Sequence, residues 1–149
     1  MAQNKVEYHI QKDSELTFKV VAGEALYAGD AVELKGDMTV GAALANSEKV
    51  LGVVTAGTVG NIGYRNPDPY TVGLVGFSGD RKEVVSVAFN GSLVYVPIAG
   101  VVNAGDAFSA GKDGTYKLAD PAKPESKLGI VVSAKTNVAG RVLVNFRGR

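Results

Sequence analysis

The chain carries a duplicated turn, and everything else in it has to accommodate that duplication. Ala28-Gly29-Asp30-Ala31 returns as Ala104-Gly105-Asp106-Ala107, and the surroundings return with it. Behind the first copy stand Lys35-Gly36-Asp37, Thr39-Val40 and Leu51-Gly52-Val53-Val54. Behind the second stand Lys112-Asp113-Gly114, Thr115-Tyr116 and Leu128-Gly129-Ile130-Val131. The copies also close alike, Val84 to Gly91 against Arg141 to Gly148, but the first holds about 20 additional residues between its Leu-Gly pair and its closing strand. Repeat units of about 24–91 and 100–149 follow, with an insertion at 57–80. A unit repeated in this way cannot cover its apolar face alone and packs against its twin. Residues 24–56 and 100–133 are therefore expected to adopt equivalent β-structure. Within each copy Gly29 or Gly105 supplies a residue free to take positive φ, and Asp30 or Asp106 supplies a carboxylate that caps turn amides. These four are assigned as structural turn residues.

Local patterning agrees with β-structure throughout. Val6, Tyr8 and Ile10 alternate with Lys5, Glu7, His9 and Gln11, the period of a strand with one wet face. Leu16, Phe18 and Val20 then alternate with Thr17 and Lys19. Residues 31–54 divide into three short strands, and Glu83 to Phe89 forms another. Asn90-Gly91 after it is a strong two-residue hairpin signal joining that strand to Leu93–Ile98, where Pro97 marks an edge or a strand end. The fold class is all-β: a small barrel or sandwich of two duplicated β-units, with an extended N-terminal arm at 1–15, a single β domain at 16–149 and one long inserted loop. The terminal Arg147-Gly148-Arg149, with Arg141 nearby, is expected to be a solvated basic end.

Composition removes several function classes. The chain has 149 residues, 46% hydrophobic, enough for one domain that buries about 68–70% of its unfolded surface. No cysteine is present, so disulfides and thiolate metal sites are excluded. Sixteen basic residues against 15 acidic leave a net charge of +1, which argues against nucleic acid as a partner. No apolar run approaches the length of a membrane span, and the polar first 15 residues lack a signal-peptide core, so no membrane partner is expected.

Catalytic chemistry finds little purchase. The single histidine, His9, lies on the polar side of the arm, where a solvated role is expected, and no nucleophile–base pair can be built without an imidazole elsewhere. Carboxylate pairing of Asp30 with Asp106 through the pseudo-symmetry is the remaining option. The glycine-rich insertion does not feed a helix, and Gly105 to Gly111 misses phosphate-loop spacing. No catalytic residue, metal or cofactor is expected, and the protein is read as a non-enzyme. Within the insertion, Tyr64, Arg65 and Tyr70 are candidate contact residues, since a long loop in a compact domain is commonly either functional or mobile, and a floppy hairpin with its apolar residues tucked inward is the alternative.

The pattern of Ala-Gly-Asp-Ala-Val with Lys-Gly-Asp, Thr-Val and Leu-Gly-Val-Val, repeated as Ala-Gly-Asp-Ala with Lys-Asp-Gly and Leu-Gly-Ile-Val and ending in Arg-Val-Leu-Val-Asn-Phe, resembles the capsid decoration, or cement, proteins of tailed bacteriophages over residues 16–149. The long insertion departs from the compact form of that family. The resemblance implies a structural protein made in the host cytoplasm and carried on the outer capsid surface of the virion. There it would bind the major capsid protein, stabilise contacts between capsomers and associate with itself, commonly as a homotrimer. Capsid or subunit contacts are assigned to Val6, Tyr8 and Ile10, because an extended arm can add to an exposed sheet edge. They are also assigned to Tyr64, Arg65 and Tyr70. An arm folded back on its own barrel is the opposing expectation. The competing classes are another virion module, such as a tail or baseplate barrel, and a carbohydrate- or ligand-binding β-domain using the two tyrosines and the arginine as a platform.

Overall fold

Thirteen strands follow one another in a computed structural model that describes residues 6–10, 15–57, 76–135 and 140–147. They are β1 (Glu7–His9), β2 (Glu15–Val20), β3 (Ala25–Leu26), β4 (Ala31–Gly36), β5 (Thr39–Ala42), β6 (Val50–Gly57), β7 (Phe77–Ser78), β8 (Val84–Ala88), β9 (Ser92–Val96), β10 (Ala107–Ala110), β11 (Tyr116–Leu118), β12 (Lys127–Ser133) and β13 (Val142–Phe146). Two single 3-10 turns, Lys112–Gly114 and Pro124–Ser126, are the helical elements among the described residues. The architecture is all-β.

The duplication is visible strand by strand. The first unit closes into a barrel in the order β2-β5-β4-β6-β8, and the second lays out a six-stranded sheet in the order β1-β9-β13-β12-β10-β11. Antiparallel pairing of β4 with β5 and with β6, and of β6 with β8, is matched by β10 with β11 and with β12, and by β12 with β13. Even the irregularities correspond, since the register slips at Thr55, between Val54 and Ala56, and again at Val132, between Val131 and Ser133. The structural repeat is longer than the sequence repeat. β9, which pairs with β13, is the counterpart of β2, which pairs with β8, so the second unit starts at Ser92.

Both Leu-Gly pairs owe their glycine to the same close approach. A Cβ on Gly52 would sit 2.2 Å from the carbonyl oxygen of Ala88, and one on Gly129 would sit 1.9 Å from that of Asn145. No side chain fits at either place.

Two apolar clusters divide the interior. Phe18, Val20, Leu26, Val32, Val40, Val54, Phe77, Val85 and Val87 fill the barrel. A larger cluster joins the barrel's outer residues Ala31, Val50, Val53 and Ala88 to Val94, Val96, Phe108, Tyr116, Leu128, Val131, Val144 and Phe146 of the second sheet. The second unit thus covers one side of the first, as expected of a duplicated unit that cannot bury its apolar face alone. Inside it, Phe108, Tyr116 and Phe146 form a ring triad with centroids 5.7–6.1 Å apart.

Three expectations are corrected here. Asn90-Gly91 does turn the chain with positive φ at both residues, 60° and 86°, but β8 and β9 do not pair with each other. Each already has its edges occupied, β8 by β2 and β6, β9 by β13 and β1, so the turn links the units instead of closing a hairpin. The stripe Val6, Tyr8, Ile10 does not share one face. A register shift between Glu7 and His9 sends Val6 into the larger cluster while Tyr8 stays 60% exposed and Ile10 half-buried. Arg141 is not part of a solvated end; it is 1% exposed, with its Nε 3.5 Å from where a Gly29 Cβ would lie.

The insertion leaves from β6 and returns at β7. Phe77 is buried in the barrel cluster, β7 pairs with β3, and a Cβ on Gly57 would be 2.5 Å from the Phe77 ring. Tyr64, Arg65 and Tyr70 lie outside the described residues.

Candidate interaction surface

The duplicated turn is built as a matched pair. At the first, the Tyr27 amide donates to Asp30 Oδ2 at 3.0 Å, Gly29 donates to the Val54 carbonyl at 2.7 Å and Val54 donates back to the Asp30 carbonyl at 3.0 Å. At the second, Asn103 donates to Asp106 Oδ2 at 2.8 Å, Gly105 to Val131 at 2.7 Å and Val131 to Asp106 at 2.8 Å. Gly29 and Gly105 take φ of 97° and 93°, the left-handed region a side chain disfavours. Each aspartate is committed to backbone amides of its own turn. This geometry holds strands in place.

A second acidic group sits where the arm meets the barrel. Burial, then the charge of Glu15 and a hydrogen bond to it, raise the Glu7 carboxyl above its ordinary value of 4.5. Glu15 Oε2 also accepts the Thr55 hydroxyl at 2.8 Å. The hydrogen bond between Glu7 of β1 and Glu15 of β2 ties arm to barrel. Among the described residues no group of three or more His, Asp or Glu side chains could hold a metal ion. No helix among them is long and apolar enough to cross a membrane.

The feature with functional reach is the outer face of the second sheet. Leu93 and Tyr95 of β9 point outward between the buried Ser92, Val94 and Val96, and Leu143 and Asn145 of β13 do the same between Val142, Val144 and Phe146. Tyr95 is opposite Leu143, Leu93 is opposite Asn145, and Asn145 in turn is opposite Ile130 of β12. Ile130 and Val132 are 37% and 44% exposed. At one side Tyr8 meets Tyr95 edge-to-face, with ring centroids 5.9 Å apart. Leu93, Tyr95, Leu143, Ile130, Val132 and Tyr8 thus form an apolar band across four strands.

Of the arm residues assigned to partner contacts, Val6 is spent on the chain's own core, Tyr8 joins this band and Ile10 packs partly against the core. The strand they form pairs with β9 of its own chain. Leu93, Tyr95, Ile130, Val132 and Leu143 were not singled out from the sequence. A signal exists, since Leu93-Val94-Tyr95-Val96, Ile130-Val131-Val132 and Val142-Leu143-Val144 are apolar in both phases, whereas an antiparallel strand with one wet face alternates.

No protein-family model matches the chain, and no curated protein does. The solved structures supply a likeness of fold. The crystal structure of the head fiber gp8.5 N base of bacteriophage phi29 superposes with a TM-score of 0.51 at 18% identity, covering 89% of this chain and 93% of that one. The likeness spans both units, so it concerns the duplicated architecture as a whole.

Proposed function

We propose that this protein is a non-enzymatic structural component of a tailed-phage virion, a decoration protein that binds the outer surface of the head and stabilises contacts between capsomers. The observation carrying this reading is the near end-to-end fold likeness to the base of a phage head fiber. The matched turns support it, because the aspartates and glycines repeated in the sequence are consumed in holding strands. An apolar band on an ordered sheet supports it too, since such a patch suits a protein contact better than a small substrate. The partner is the major capsid protein.

Purified heads lacking the protein provide the test. Added protein is expected to sediment with the heads at a saturating, symmetry-related copy number and to raise the temperature at which they rupture. Heads that take up no protein, or that rupture at an unchanged temperature when saturated, overturn the reading.

A further inference from the structure

Because the chain contains the same unit twice, each outer position of the second sheet can be compared with its counterpart in the barrel. Register fixes the correspondence. Thr17 faces Ser86 in the barrel as Tyr95 faces Leu143 in the sheet, and Glu15 faces Ala88 as Leu93 faces Asn145. Thr55 sits at the register slip of β6 where Val132 sits at that of β12. The barrel thus carries Glu15, Thr17, Thr55 and Ser86 where the second sheet carries Leu93, Tyr95, Val132 and Leu143. Folding the unit does not require apolar residues at these places, since the barrel folds with polar ones. Two of its remaining outer positions are apolar and covered. Val53 and Ala88, counterparts of Ile130 and Asn145, are apolar and fully buried because the second unit covers them. The centre of the barrel's apolar outer face is thus a covered face, and Val84 at the end of β8 stays 37% exposed beside it.

We propose that the band of Tyr8, Leu93, Tyr95, Ile130, Val132 and Leu143 is a homotypic interface, packing sheet against sheet on the same face of another copy of this chain. Three observations select that occupant. The six side chains are uncharged and the whole chain carries a net charge of only +1, so copies approach without electrostatic penalty or steering. Two identical sheets share one twist, and sheets of like twist pack face to face about 10 Å apart with interdigitated side chains. The size also fits. With Tyr8 at 60% and Val132 at 44% exposure, the patch is on the order of 300–400 Å². A specific contact at the small end, about 1,200 Å² in total and a little over half apolar, needs about that much from each copy. A two-fold pair buries the band directly, since a face packed on its own copy is related to it by a two-fold axis.

The inference stands apart from the virion role, because it is tested in solution without heads. Sedimentation of the full chain over a wide concentration range is expected to show reversible self-association. Transplanting the barrel's residues, Tyr95→Thr with Val132→Thr and Leu143→Ser, is expected to leave a monomer with an unchanged β-sheet circular dichroism spectrum. Tyr8→Lys alters only an exposed side chain at the edge of the band and is expected to weaken association at least tenfold, which decides the matter if the triple variant fails to fold. A wild-type chain that stays monomeric at all concentrations overturns the proposal. So does a folded triple variant, or a Tyr8→Lys variant, that associates as the wild type does.

Discussion

The same unit closes into a barrel in the first half of the chain and stays open in the second, and the difference comes down to a few residues. In the barrel, β2 and β5 complete the circle as a parallel ladder, Lys19 beside Thr39 and Val20 beside Val40. Lys19 donates to the Met38 carbonyl at 2.8 Å and Val21 to that of Val40 at 2.9 Å. In the second unit only one bridge forms, Ile98 beside Tyr116, with Ala99 donating to the Tyr116 carbonyl at 3.3 Å. Two residues before Ala99, where the barrel has the Lys19 donor, stands Pro97, which has no N–H to give. The interiors differ in the same sense. Val32 and Val40 fill the closed barrel, whereas their bulkier counterparts Phe108 and Tyr116 meet Phe146 in tilted and edge-to-face contacts inside the open sheet. The free length of β9 is then taken by β1, and Val6 joins the core from outside the repeat. Two differences thus accompany the open unit, one missing donor and a bulkier filling.

Substitutions made in pairs, one per unit, test this comparison. The largest effect is expected where both units obey one rule: Gly52→Ala and Gly129→Ala each drive a Cβ into a backbone carbonyl and should each destabilise by more than about 3 kcal/mol in denaturant titration. If either is tolerated, the close approach is not what holds that glycine. Next come the turn aspartates, where burial separates the copies. Asp30 is 1% exposed and Asp106 is half-buried, so Asp30→Ala should cost about 2–3 kcal/mol and Asp106→Ala about 1 kcal/mol. Equal losses would mean that burial does not distinguish the two turns.

A smaller change is expected from Pro97→Lys, which gives the open unit the barrel's residue. The new hydrogen bond contributes about 0.5–1.5 kcal/mol, offset by about 0.4–1 kcal/mol from the freer unfolded chain, so stability should barely move. The informative reading is hydrogen exchange: protection of the new amide at position 97 means that the missing donor kept the ladder short, and rapid exchange means that the aromatic filling did. The slightest effect concerns pH. Glu7 is raised in the folded state, so its contribution is fully present below the ordinary carboxylate value of 4.5 and is lost as pH rises through the higher folded value. Attachment of β1 should therefore tighten on acidification, read as higher protection factors of the β1 amides relative to their intrinsic exchange at each pH. Glu7→Gln should abolish that dependence, and a dependence that persists would assign it to another group.

How much of this was legible in the sequence follows from the range of each cause. The turns were legible because glycine at positive φ and an aspartate three residues from the amide it caps are local. The all-β class was legible from period-two patterning. The pairing partner of β9 was not, since Asn90-Gly91 specifies a reversal and says nothing about which strands are already paired. Nor was the fate of the arm, because a single register shift between Glu7 and His9 breaks the alternation of the sequence, with Val6 buried and Tyr8 exposed. The apolar band escaped because its members lie on four strands distant in sequence, and only the pairing of β1, β9, β13 and β12 makes them neighbours.

The meeting of Gly57 with the Phe77 ring gives this molecule an engineering property of its own. The chain departs from the barrel and comes back to it at one spot, and the return is anchored by a fully buried aromatic side chain and the β3–β7 pair. Whatever polypeptide is spliced between those two residues starts and finishes at a closed socket. Its length then enters the stability of the barrel only logarithmically, at about 0.6 kcal/mol for each doubling. The position is suited to receiving a foreign peptide or a small folded module, with Gly57 and Phe77 kept as the fixed rim.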